Sequence, residues 1–145
     1  MSKVEDFLTA TQEQDLIDAI KIAEKNTSGE IRVHIEKSTK IPPMERALEV
    51  FYFLKMDRTE QRYGVLFYIA VESKKFAILG DEGINNLVPD DFWDSEKELV
   101  LSHFKKGEFT KGLELAIIEV GNKLVTFFPY QSNDINELPD EISKG

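Results

Sequence analysis

Gly64-Val65-Leu66-Phe67-Tyr68-Ile69-Ala70-Val71 is an unbroken apolar run rich in β-branched and aromatic side chains. A run of this length and composition reads as a strand covered on both faces, at the centre of a sheet. Glu72-Ser73-Lys74 is short and polar, Lys75-Phe76-Ala77-Ile78-Leu79 resumes the apolar pattern, and Gly80 closes it. Two strands joined by so few residues form a tight hairpin, which makes the sheet mixed.

A strand buried on both faces needs helices on both sides, and the flanking sequence supplies them. Thr11-Gln12-Glu13-Gln14 has the spacing of a capping box, and Leu16, Ile17, Ile20 and Ala23 follow at helical spacing toward an end near Asn26. Ile31, Val33 and Ile35 then alternate with Arg32, His34 and Glu36, the period of a strand with one buried face. Pro42-Pro43 opens a second helix carrying Met44, Ala47, Leu48, Phe51 and Leu54. Beyond the hairpin, Trp93, Leu99, Val100 and Phe104 predict a helix stopped by Gly107. A last helix is expected from Thr110 as N-cap, with Leu113, Ala116, Ile117, Val120 and Leu124 inward. The sum is an α/β chain, a three-layer αβα sandwich with a central mixed sheet of about four strands. Residues 1–129 are expected to form one domain, and 130–145 an acidic tail that is loosely docked or disordered.

A chain of 145 residues is long enough to bury a core without disulfides or a structural metal. Its net charge of −9, with no basic run, disfavours nucleic acid and anionic membrane surfaces as partners. The absence of cysteine excludes a thiol nucleophile, disulfides and thiolate metal sites. The first residues lack the basic and apolar regions of a signal peptide, and no apolar run reaches the roughly 18 residues of a membrane helix. The expected location is the cytoplasm.

The charge is concentrated. Between Asp81 and Glu98 stand Asp81, Glu82, Asp90, Asp91, Asp94, Glu96 and Glu98, balanced only by Lys97. Crowded carboxylates repel unless they are solvated, paired or bound to a metal, and hard cations such as Ca²⁺ and Mg²⁺ take several oxygen ligands. The EF-hand pattern is absent, since Asp81-Glu82-Gly83-Ile84-Asn85-Asn86 lacks alternating oxygen ligands before its glycine. Gly80 and Gly83 flank the acidic pair and predict a sharp turn at a strand end. Because a hairpin reverses direction, the loop before Gly64 and the loop after Leu79 lie at the same sheet edge. Asp57, Asp81 and Glu82 are therefore expected to be neighbours. The candidate metal ligands are Asp57, Asp81, Glu82, Asp90, Asp91 and Asp94. The plainer alternative is a solvated acidic face with one residue of Pro89-Asp90-Asp91 as a helix N-cap.

Other chemistry has less support. Neither histidine lies in a nucleophile motif: His34, between Arg32 and Glu36 on the polar face of its strand, reads as a surface residue, and His103, near a helix C-terminus, as a favourable dipole contact. There is no P-loop, dinucleotide turn or H-E-x-x-H. Arg46, Arg58 and Arg62 read as surface side chains beside the apolar elements.

Ser28-Gly-Glu-Ile-Arg-Val-His34, then Arg46-Ala47, Phe51, Leu54, Met56, Thr59 and Arg62 before Gly64-Val-Leu-Phe-Tyr, resembles a TPM domain. Ile78-Leu-Gly-Asp81-x-Gly83-Ile84, Phe92-Trp93 and the late run from Phe104 to Phe128-Pro129 are similar too. The resemblance covers about residues 10 to 130. It implies an αβα sandwich, divalent ions, notably calcium, in loops at one end of the sheet, and in thylakoid members an acid phosphatase activity linked to photosystem II repair. The family's loop after its hairpin falls on Gly80-Asp81-Glu82-Gly83, and its Pro-Asp motif on Pro89-Asp90. The functional expectation is a stand-alone domain that binds one or two Ca²⁺ or Mg²⁺ ions in its acidic loops, with a metal-responsive regulatory or scaffolding role. The alternatives are a metal-dependent phosphatase working through activated water, without an evident nucleophile, and an interaction module docking a basic protein partner.

Overall fold

The structure is a computed structural model that describes residues 8–59, 61–129 and 140–144. Most of the predicted tail, residues 130–139 and 145, lies outside the described residues. The elements are α1 (Ala10–Glu24), β1 (Glu30–Glu36), α2 (Pro43–Phe53), a 3₁₀ turn (Met56–Arg58), β2 (Gly64–Ala70), β3 (Lys75–Gly80), α3 (Glu82–Asn85), α4 (Asp94–Lys105), α5 (Phe109–Phe127) and β4 (Ser143–Lys144).

The sheet order is β3-β2-β1-β4. β2 is central and wholly buried, as its composition requires. It runs parallel to β1, with Glu30 opposite Gly64 and Glu36 opposite Ala70, and antiparallel to β3, with Val65 opposite Gly80. The parallel pair is connected through α2. β4 adds a short parallel edge, His34 opposite Ser143, and Ile142 just before it is buried.

The two faces are covered unequally. Ile31, Val33, Ile35, Val65, Phe67, Ile69, Phe76 and Ile78 point into the larger core beneath α1, α4 and α5. On the other face, among the described residues, Leu66, Tyr68, Ala70 and Ala77 form a smaller apolar cluster with α2 and the 3₁₀ turn, through Ala47, Val50, Phe51 and Met56. In the larger layer α1 and α5 approach closely at Gly121, where a Cβ would fall 2.6 Å from the Cα of Ala23. Only glycine allows that distance, because interiors have no slack to receive another carbon. No helix among the described residues is long and apolar enough to cross a membrane.

Three helix starts differ from expectation. The capping box of α1 is Thr9 with Gln12, two residues upstream of the expected one: each amide is met by the other residue's side chain at 3.0 Å. Both positions satisfy the same spacing, and the earlier one lengthens the helix and brings Leu8 into the core. α5 starts at Phe109 after Glu108, with Thr110 already inside its first turn. α4 starts after Trp93 without a side-chain cap, so neither Asp90 nor Asp91 serves as its N-cap.

Candidate functional site

The hairpin places the loop before β2 and the loop after β3 at one end of the sheet, and there the chain builds an ion-paired cluster. Arg62, held at φ 61°, turns its guanidinium onto Asp81, with Nε 2.6 Å from Oδ2 and Nη2 2.7 Å from Oδ1. Its third nitrogen, Nη1, donates to Glu82 Oε1 at 3.2 Å. Asp81 is buried and also caps α3, accepting from the Glu82 amide at 2.7 Å. A bidentate, charge-assisted pair with an added amide is a strong arrangement for a buried carboxylate. The charge of Asp57, half-buried in the 3₁₀ turn, also acts on Arg62, whose pKa is raised first by the Asp81 hydrogen bonds and then by the fields of Asp81, Glu82 and Asp57. At Gly83 the backbone closes on itself: a Cβ there would lie 2.4 Å from the carbonyl oxygen of Gln61 and 2.6 Å from that of Arg62.

The structure thus brings Asp57, Asp81 and Glu82 into one electrostatic group. Asp90, Asp91 and Asp94 are exposed along the segment leading into α4, where the Asp91 carbonyl accepts the Asp94 amide at 3.1 Å. Among the described residues no three Asp, Glu or His side chains gather into a group suited to a metal ion. Carboxylate oxygens are the donor type that calcium and magnesium take, but these carboxylates are not grouped as a ligand shell. In the arrangement described, the cation they hold is Arg62.

A second polar cluster lies under α2, and sequence reasoning missed it. Glu36 at the end of β1 accepts Arg46 Nε and Nη2, both at 2.9 Å, together with the Tyr68 hydroxyl and His34 Nε2 at 3.2 Å. Burial alone would raise the Glu36 pKa, but these donors outweigh it and bring it down to about 2. His34 is buried, not a surface residue, and desolvation lowers its pKa despite the neighbouring carboxylate. A neutral ring that meets a carboxylate through Nε2 carries its proton there, so Nδ1 accepts the Ser143 hydroxyl at 2.9 Å. The cluster therefore ties β1, β2, α2 and β4 together. Alternation hides it, because a polar residue every second position is also the mark of a solvated strand face. His103 contributes to neither cluster: its Nδ1 lies 2.9 Å from the Leu99 carbonyl.

Comparison with known proteins agrees with this architecture. The BA42 protein of the psychrophilic bacterium Bizionia argentinensis is 53% identical, covers 100% of both chains and superposes with a TM-score of 0.91. The N-terminal domain of a P. gingivalis protein (17% identity, TM-score 0.69, 83% of this chain and 78% of that one) shares the fold. So does the N-terminal domain of the cg2496 protein of Corynebacterium glutamicum (13%, 0.61, 88% and 80%). No curated protein matches the chain. The TPM domain matches residues 1–123, a range that holds β1 to β3, α1 to α4, most of α5 and the Arg62–Asp81–Glu82 cluster, and the chain belongs to the TPM domain family.

Proposed function

We propose that this TPM domain is a binding module for a divalent cation, Ca²⁺ or Mg²⁺, at the sheet end formed by Asp57, Asp81 and Glu82. The observation that carries the reading is that Asp81 and Glu82 both contact one positive charge, that of Arg62, while Asp57 in the preceding loop acts on it only through its field. Two loops that gather carboxylates around a cation have the charge and donor type that an ion of higher charge density selects. Arg62 is part-exposed and enters from the solvent side, so on this reading it is the built-in counter-ion that a divalent ion must compete against. Asp90, Asp91 and Asp94 add to the field that attracts cations to this end.

Calorimetric titration with CaCl₂ and MgCl₂ tests the proposal. A saturable heat is expected with the native chain, tighter binding with Arg62→Ala, and loss with Asp81→Asn. Absence of heat in both the native chain and Arg62→Ala, together with a Tm unchanged by millimolar metal, would overturn it.

A further inference from the structure

At the opposite end of the sheet, the β2–β3 turn, the end of α4 and the start of α5 enclose a groove of about 680 Å³. Its floor is apolar: Val71, Leu101, Phe104 and Phe109 are all half-buried, and the rings of Phe104 and Phe109 stack with centroids 4.5 Å apart. Phe104 also leans edge-on against Phe76, which fixes this floor to the larger core. Two exposed lysines, Lys74 from the turn and Lys105 from α4, complete the lining. The nineteen-residue α5 begins beside the groove with no side chain capping its first amides, so its positive dipole end adds to the lysine charge. In a chain of net charge −9, the charged residues that line this apolar trough are both lysines, with Glu72 and Glu108 next to it in sequence but outside the lining.

Sites for small molecules combine such a volume and an apolar lining with a few polar groups that fix orientation. An aliphatic tail matches the phenylalanine floor, and a single anion matches two lysines and a helix start. We propose that the groove binds a small amphiphile with one anionic head, an alkyl carboxylate being the simplest member, with its tail on Leu101, Phe104 and Phe109 and its head at Lys74 and Lys105. Lysine suits this place because its stem covers apolar surface while its ammonium stays at the rim.

The test is an amide NMR titration of the full chain with decanoate, and with decanol and butyrate as separate arms. Decanoate is expected to produce saturable shifts confined to residues 71–76 and 101–109, with decanol binding more weakly and butyrate not at all. Lys105→Glu is expected to weaken decanoate by about tenfold and leave decanol unchanged, the size of one charge-assisted contact. Leu101→Gln, which acts on the tail instead, should weaken both ligands. Shifts scattered over the surface, equal affinity for decanol and decanoate, or indifference to both substitutions in proteins of native Tm would overturn the proposal.

Discussion

Arg46 meets Glu36 through two contacts of 2.9 Å, Nε to Oε2 and Nη2 to Oε1, and so fastens α2 to the last residue of β1. The attachment matters because α2 is the main cover of the thinner face of the sheet. A carboxyl whose pKa falls from 4.5 to about 2 on folding stabilises the native state above 4.5 and loses that contribution as the pH drops toward 2. Glu36→Gln should therefore be about 2 kcal/mol less stable at neutral pH. The gap should close in acid. Urea unfolding of both proteins between pH 7 and 2.5 checks this, and curves that stay parallel would contradict it.

Glu24 works with the opposite sign. At the end of α1 it accepts the Ile31 amide at 2.8 Å, and its pKa is pushed up to about 9, first by burial, then by a hydrogen bond with Asp140 and the charges of Asp140 and Glu30. Since the unfolded side chain ionises near 4.5, its stabilising contribution is complete below that value and is lost as the pH rises toward 9. Glu24→Gln keeps the polar contacts without the charge. It should remove this alkaline loss and exceed the native chain in stability at pH 9, with little difference at pH 4.5. Denaturant midpoints at pH 4.5, 7 and 9 measure it, and an equal decline in both proteins would refute the assignment.

The pattern of legibility follows from which forces leave a trace in one dimension. Burial does, so the run from Gly64 to Val71 and the alternation of Ile31, Val33 and Ile35 reveal the strands and the mixed sheet. Caps are less distinct, because Thr9-x-x-Gln12 and Thr11-x-x-Gln14 obey one rule and tertiary packing of Leu8 selects between them. Long-range pairing leaves no trace. Arg62 lies 19 residues from Asp81, and only the left-handed backbone at Arg62 and the hairpin geometry bring them together. His34 and Ser143 are 109 residues apart and meet because β4 returns beside β1. Acidic crowding was visible, but its partition between Asp81 and Glu82 on Arg62 and an exposed Asp90, Asp91 and Asp94 was not.

Glu96 gives the last test, since it is an acidic residue in the crowded segment that serves stability. It is fully buried in α4, accepts the Ser95 hydroxyl, and has Lys123 Nζ of α5 at 2.9 Å from Oε1. The same ammonium donates to the Phe92 carbonyl at 2.6 Å and sits 4.9 Å from the Phe92 ring centroid. Lys123→Met keeps the stem but leaves a buried carboxylate without its counter-charge, at a cost of about 3 kcal/mol. Adding Glu96→Gln removes the stranded charge, so the double variant should regain most of that loss. Thermal and urea unfolding of the two variants against the native chain decides the matter. A loss below about 1 kcal/mol in Lys123→Met would mean that Glu96 is reached by water and that this pair behaves as a surface one.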